Sequence, residues 1–254
     1  MDKKNKILVT GGTGMLGKSL KSFIKNAYFL NGKKEIDLTN FRLVERFLKN
    51  NFYDIIVHSA AYTNIDFCQK NIDLSYKLHG ELVTILQKYC DKLIFISTNK
   101  INSNKIYYKS KYLGESLTLK RNSDLVIRTN IVGDGGITLW AINSLKKNKI
   151  IYGFKDVFFN PIHTSQLSKF ISIESKKFSG LVTLCSDRKI NKFDFIKQVA
   201  KLFNLDESLI HEKNKGFDTN LTLDCNNESL VFSFTEVMNN LYDELKKNKN
   251  NLYK

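Results

Sequence analysis

One proline, one tryptophan and three methionines are all that 254 residues hold of those types, and no apolar run is long enough to span a bilayer. The missing run excludes a transmembrane helix. Met1-Asp-Lys-Lys-Asn-Lys6 also leads directly into a strand-like stretch, without the apolar core of a secretory leader. A soluble, cytoplasmic protein with no membrane partner is expected. Cysteine is scarce: Cys68, Cys90, Cys185 and Cys225 stand far apart with no C-x-x-C pair, so four reduced thiols are expected and no disulfide framework. His58, His79, His163 and His211 lack zinc-ligand spacing, and no metal is expected. Acidic residues are outnumbered, 25 against 40 basic, for a net charge of +15. That charge is mostly Lys, with Arg only at 42, 46, 121, 128 and 188, and it is spread along helix-like segments. A scattered charge of this kind reads as solvated surface and not as a nucleic-acid footprint, so no nucleic-acid partner is expected; its field favours anionic small molecules such as nucleotide sugars. Internal repeats and low-complexity linkers are absent, which implies tightly joined lobes.

At 42% hydrophobic content the chain can bury a substantial core. Its organising stretch is Lys6-Ile-Leu-Val-Thr-Gly-Gly-Thr-Gly-Met-Leu-Gly17. Ile7, Leu8 and Val9 form a buried strand, and Leu16, Leu20, Phe23 and Ile24 then recur with helical spacing. Between them, Gly11, Gly12, Gly14 and Gly17 allow a tight turn, close approach of a pyrophosphate to the backbone, and close packing of helix on strand. The pattern fits both G-x-G-x-x-G and G-x-x-G-x-x-G, and its position between strand and helix favours dinucleotide binding over a structural turn. A second strand ends near Tyr28-Phe-Leu30 and is followed by Lys33 and Lys34 where an acidic residue would meet the ribose of NAD. A lysine there can accept a 2′-phosphate, which favours NADPH with NADH as a second cofactor; a solvated turn is the other reading.

Asn40 caps a helix carrying Leu43, Val44, Phe47 and Leu48 on one stripe. Asp54 to Ala61 is a buried strand ending in small residues. A helix with Leu74, Leu78, Leu82, Ile85 and Leu86 follows, then the strand Leu93-Ile-Phe-Ile96 and Ser97-Thr98-Asn99. Strand and helix alternating this way imply an α/β chain with a Rossmann-type, doubly wound parallel sheet. In Tyr107-Tyr-Lys-Ser-Lys-Tyr-Leu-Gly-Glu115, Tyr107 and Lys111 are four apart and share a helix face. An ammonium beside a phenol favours phenolate, so Lys111 is expected to lower the Tyr107 pKa. With the Thr98 hydroxyl, they form a set that can deliver a proton to a carbonyl oxygen.

In this order the motifs resemble an extended short-chain dehydrogenase/reductase, most of all the dTDP-4-dehydrorhamnose reductase family. The matching stretches are the glycine loop, Ala60-Ala-Tyr-Thr-Asn-Ile-Asp66, Ile96-Ser-Thr98, Tyr107 to Glu115 and Arg128-Thr129, with looser agreement through Asn160-Pro-Ile-His163 and Asn191 to Leu205. The resemblance implies a catalytic triad of Thr98, Tyr107 and Lys111. It places Gly11, Thr13, Gly14, Met15, Leu16, Gly17, Ala60, Ala61 and Tyr62 along the cofactor, and Asp37 and Leu38 beside the adenine. Thr63, Thr98, Asn130 and His163 are the candidates for substrate contact, and for His163 a packed or solvated structural residue is the favoured reading. Departures lie after Thr98, where Asn99-Lys100-Ile101-Asn102 replaces the usual sequence and only nine positions lead to Tyr107. Gln69 and Lys77 also differ from the family's habit. Lys100 and Leu139 occupy the places of the Cys and its partner in related epimerases, which argues against epimerisation.

Residues 1–132 are thus expected to form an NAD(P)-binding domain, and 133–254 a small C-terminal α/β substrate lobe with segments returning to the sheet. In that half, a helix from Trp140 to Lys147 and strands at Ile150 to Gly153 and Leu181 to Leu184 are expected. Pro161 lies in the link Phe159 to His163. Phe193, Ile196, Val199, Ala200 and Phe203 form a core stripe, and Ser233-Phe-Thr-Glu236 is a capping box opening a last helix that frays from Lys246. The implied activity is NAD(P)H-dependent reduction of a 4-keto-6-deoxy sugar on a nucleoside diphosphate, with a homodimer left open. The alternative is an NAD(P)-binding regulatory or scaffolding subunit of the same fold.

Overall fold

The computed structural model describes residues 6–99, 103–217, 219–225 and 230–252, so the Lys100 to Asn102 departure lies outside the described residues. The elements run in chain order as β1 (Ile7–Thr10), α1 (Met15–Phe23), β2 (Ala27–Phe29), α2 (Phe41–Leu48), β3 (Tyr53–His58), α3 (Ile65–Lys70), α4 (Ile72–Tyr76), a π-turn (Lys77–Glu81) and α5 (Leu82–Gln87). Next come β4 (Cys90–Ser97), α6 (Ile106–Thr118), β5 (Leu125–Thr129), β6 (Ile131–Val132), α7 (Gly136–Leu145), β7 (Ile151–Phe154), β8 (Phe158–Phe159), β9 (Ile162–His163) and α8 (Thr164–Lys169). The chain closes with β10 (Gly180–Ser186), β11 (Ile190–Asn191), α9 (Lys192–Leu202), β12 (Ile210–Lys213), β13 (Val231–Phe232) and α10 (Phe234–Leu252). Two compact units emerge: Met1–Arg128 with Ser168–Val182, and Thr129–Leu167 with Thr183–Lys254.

The central sheet has seven strands in the order β13-β10-β5-β4-β3-β1-β2. Its pairings β2–β1, β1–β3, β3–β4, β4–β5 and β10–β13 are parallel. Parallel strands are covered on both faces, which is why they read as unbroken apolar runs. Leu8, Ile56, Val57, Leu93, Ile94, Phe95, Leu125, Val126 and Ile127 are all fully buried. Burying each such side chain contributes roughly 1.5–3 kcal/mol, so these runs supply much of what holds the sheet together. The direction of winding reverses between β1 and β3, and in open parallel sheets ligands bind beyond the strands' carboxyl ends at that point. Register places Thr10 beside His58 and His58 beside Phe95, so the glycine loop, Ser59-Ala60-Ala61 and Thr98 all leave the sheet at one edge.

Several local signals hold. The Asn40 side chain accepts from the Leu43 N–H at 3.3 Å and starts α2. Other stripes are narrower than their periodicity implies: Phe23, at the last turn of α1, is 40% exposed, and Leu43 is 44% exposed on the rim of α2. The helix expected from Leu74 to Leu86 is broken in the middle by the π-turn.

In the second unit, β7 pairs with β12, β6 with β9 and β8 with β11. Helix α9 buries Phe195, Ile196, Val199 and Ala200, with Phe193 and Phe203 only partly covered, so its stripe is core. Helix α10 buries Val237, Leu241 and Leu245 and continues to Leu252 where fraying from Lys246 was expected. Two of the four cysteines correct the expectation of free thiols. Cys185 and Cys225 form a disulfide with Cα atoms 6.4 Å apart, while Cys68 and Cys90 are free and buried. The pair is 40 residues apart in sequence, so it arises from tertiary folding and leaves no spacing pattern. Among the described residues no helix is long and apolar enough to cross a membrane, and no cluster of His, Cys, Asp and Glu is placed to hold a metal.

Candidate active site

The glycine loop is shaped by contacts that only glycine permits. Gly11 has φ +75°, and a Cβ there would lie 2.8 Å from the Ala60 nitrogen. A methyl on Gly17 would strike the Gly11 carbonyl oxygen and lie 2.7 Å from the Gly12 Cα, so α1 can approach the loop only because position 17 is bare. Gly14 is the N-cap of α1 and no side chain caps the helix. Unsatisfied N–H groups at a helix start are a ready anion site, and the loop therefore fits the pyrophosphate of a dinucleotide. Thr13 and Gly14 are exposed and Met15 is half-buried, whereas Leu16 is 5% exposed and packs inward.

Nearby, Lys33 pairs with Asp37 at 2.9 Å. Asp37 also accepts from the Thr39 hydroxyl at 2.7 Å and the Thr39 N–H at 3.0 Å. Burial pulls its carboxyl upward, but Thr39 and Lys33 outweigh that and hold it below the ordinary range. Leu38 packs partly against the core. The Ala60 N–H donates to Thr10 Oγ1 at 3.2 Å, the Tyr62 N–H donates to His79 Nε2 at 2.9 Å, and the Tyr62 ring tilts against Phe67 at 4.8 Å. Ala61 and Thr63 lie in the same loop, half-buried and exposed.

Past the end of β4, Thr98 is buried and donates to Asn99 Oδ1 at 3.1 Å. Helix α6 begins at Ile106, whose N–H donates to Gln69 Oε1 at 3.4 Å, so the residue that departs from the family's habit caps this helix. Lys111 is 3% exposed; its Nζ donates to the Ile96 carbonyl at 2.7 Å and lies 4.6 Å over the Phe95 ring. Burial brings its ammonium down to about 7. Tyr107 behaves differently from the expectation. Burial pushes its phenol up to about 12, outweighing a hydrogen bond with the Thr98 hydroxyl that favours the phenolate, so the expected lowering is not what the site shows. Glu115, one turn on, holds α6 to the sheet by pairing with Arg128 and accepting from Ser97 Oγ at 2.9 Å.

Two predicted substrate contacts lie in the second unit. Asn130 donates to the Leu221 carbonyl at 2.9 Å. His163 is buried, with Nδ1 2.7 Å from Ser165 Oγ and Nε2 3.1 Å from Glu244 Oε2, so both ring nitrogens are engaged within the fold. The same unit holds a feature that spacing did not reveal: a cavity of about 320 Å³ lined by Trp140, Tyr152, Phe154, Ile196, Lys192 and Lys215 among others. Burial, reinforced by the charge of Lys215, brings Lys192 down to about 7, and its ammonium lies 3.2 Å from the Phe159 ring centroid. Lys192 opens α9, where the sequence shows only a core stripe beginning one residue later.

Residues 5–221 match the RmlD substrate binding domain. The chain belongs to that family. Among curated relatives, it is 32% identical over 155 residues to the Bacillus subtilis (strain 168) spore coat polysaccharide biosynthesis protein SpsK, covering 52% of this chain and 55% of SpsK. It is 26% identical over 211 residues to the dTDP-4-dehydrorhamnose reductase of Aggregatibacter actinomycetemcomitans, covering 69% of each. The match to SpsK thus spans little more than half of that relative. Among solved structures, the dTDP-4-dehydrorhamnose reductase of Bacillus anthracis in complex with NADP superposes with a TM-score of 0.83 at 22% identity, covering 95% of this chain and 99% of that one. The Clostridium acetobutylicum ortholog superposes with a TM-score of 0.84 at 21% identity, with coverage of 95% and 99%. At such identities the likeness is one of fold.

Proposed function

We propose that this member of the RmlD family is an NADPH-preferring reductase acting on a 4-keto-6-deoxy sugar carried by a nucleoside diphosphate. The observation that carries the reading is the buried Lys111 beneath α6, on the same helix face as Tyr107 and beside the β4 end that bears Thr98. That strand end shares an edge with the glycine loop. The Bacillus anthracis relative was solved with NADP, and the curated relatives include a reductase of this class. Lys33 stands next to the ribose-facing loop; its exposed ammonium would exchange Asp37 for a 2′-phosphate.

A dihydronicotinamide cofactor, its pyrophosphate held at the loop from Gly11 to Gly17, would supply hydride to the keto carbon. The chain's residues handle the oxygen. The Thr98 hydroxyl orients the carbonyl, and Tyr107 transfers its phenolic proton to the developing alkoxide, giving the secondary alcohol. A phenol held near 12 carries its proton throughout the neutral range, which is the form a donor needs. Lys111 on the next turn offsets the charge left on the phenol oxygen.

The test is NADPH oxidation on a panel of nucleotide-linked 4-keto sugars, with Tyr107→Phe alongside the parent. Turnover should fall at least about a hundredfold while NADPH affinity stays nearly unchanged. Near-normal turnover by the variant would sink the triad. NADPH binding without consumption across the whole panel would instead assign the chain to a regulatory or scaffolding role, which the altered sequence after Thr98 would then explain.

A further inference from the structure

Helix α6 and the π-turn Lys77–Glu81 meet backbone to backbone. A Cβ on Gly80 would lie 2.6 Å from Leu113 Cδ2, and one on Gly114 would lie 2.6 Å from the Phe95 ring and collide with the His79 carbonyl. π-turns inside helices recur at functional sites. This one presents two groups to the interior, the Leu78 carbonyl and the His79 imidazole.

The donors fix the tautomers. His79 Nε2 receives the Tyr62 N–H at 2.9 Å and must therefore be bare, so the ring proton sits on Nδ1 and is donated to Ser110 Oγ at 2.8 Å. Ser110 in turn donates to the Tyr107 carbonyl at 3.0 Å. The His79 ring also meets the Tyr107 ring edge-on, with centroids 5.8 Å apart. His58 makes a parallel link. Its Nε2–H donates to the Leu78 carbonyl at 2.9 Å, and its Nδ1 accepts from the Thr10 hydroxyl at 2.8 Å, which itself accepts from the Ala60 N–H. Burial, then the charge of Lys111, brings the two imidazoles down to about 3 and about 2, so both are neutral at any working pH.

We propose that His79, acting through Ser110, is a positioning residue for Tyr107, tying the Tyr62 peptide of the cofactor-side loop to the turn of α6 that carries the phenol. His58 supports the same π-turn from Thr10 and Ala60. The chain of hydrogen bonds makes the place of the proton donor depend on the loop proposed to line the cofactor. This inference rests on the reading of Tyr107 as that donor.

The test uses the full chain with tyrosines isotope-labelled at Cζ, the Tyr107 resonance being assigned from Tyr107→Phe. Ser110→Ala and His79→Gln should each displace the Tyr107 resonance. Ser110→Ala removes a single oxygen and keeps the test intact should His79→Gln fail to fold. Turnover of each should fall about tenfold at nearly constant KM, the scale expected when a reacting group is held slightly out of place. NADPH affinity, followed by nucleotide fluorescence, should stay close to the parent's for Ser110→Ala. Added to Tyr107→Phe, Ser110→Ala should cost no further turnover, because its effect runs through the missing hydroxyl. A Tyr107 resonance that stays put in both variants, or losses that add to those of Tyr107→Phe, would overturn the proposal. If Tyr107→Phe keeps its turnover, the reductase reading fails, and the displaced resonance still decides whether His79 and Ser110 position that side chain.

Discussion

An ammonium as buried as that of Lys111 titrates far from its ordinary range, and this leaves a measurable mark on stability. In the unfolded chain the amine keeps its proton up to about 10.5, and in the folded chain only to about 7. Between those values unfolding takes up a proton, so stability rises with pH; as pH falls through 7 the gain is lost. Lys111→Met, which fills the same space without charge, should be more stable than the parent at pH 7. The gap should close by about 2 kcal/mol at pH 9, as read from urea midpoints at the two pH values. At this scale the site is half legible in sequence. Tyr107 and Lys111 are singled out as candidates by their spacing and Thr98 by its strand end. His79 and Ser110 carry no motif, because their partners are a backbone N–H at Tyr62 and a backbone carbonyl at Tyr107, groups that every residue possesses.

Between helices, the contact of α6 with the π-turn has no slack. Gly114→Ala would drive a methyl into the Phe95 ring and the His79 carbonyl, neither of which is the free end of a flexible side chain. Overpacking of this kind costs about 1–3 kcal/mol, and the thermal midpoint should fall accordingly. Turnover in Gly114→Ala should fall as well, since the proposed donor Tyr107 lies two turns earlier on the same helix. A midpoint and a turnover equal to the parent's would mean that the turn yields freely. Periodicity located both partners but not the break between them, since Leu74, Leu78, Leu82, Ile85 and Leu86 keep their apolar character through a π-turn that shifts their phase. The glycine loop was legible for the opposite reason: Gly11 and Gly17 are required by backbone geometry that leaves no alternative residue. Phe23 and Leu43 misled because apolar side chains at the rim of a stripe stay wet without penalty.

Across the whole molecule, the sheet follows from apolar runs alternating with helices, whereas the covalent link does not. The Cys185–Cys225 bond closes a loop of 40 residues. Breaking it with a reductant should lower stability by about 2–4 kcal/mol, the range usual for such loops. Alkylation of the denatured, unreduced protein should label two thiols, Cys68 and Cys90. Four labelled thiols would show that the pair is reduced.

The first unit is assembled from two stretches of chain, with the whole of 129–167 intervening. A growing polypeptide that has emerged as far as Arg128 possesses the glycine loop, β4 and α6, yet Lys92 has nothing to hold. Its ammonium awaits the carbonyls of Ser175 at 2.9 Å and Phe178 at 2.5 Å, and the Gly180 N–H that meets the Asp124 carbonyl at 2.7 Å is also still to come. Synthesis therefore delivers the closing piece of the first unit only after part of the second has already left the ribosome. A fragment ending at Arg128 therefore has an unfinished edge, with the Lys92 ammonium and the Asp124 carbonyl lacking these partners.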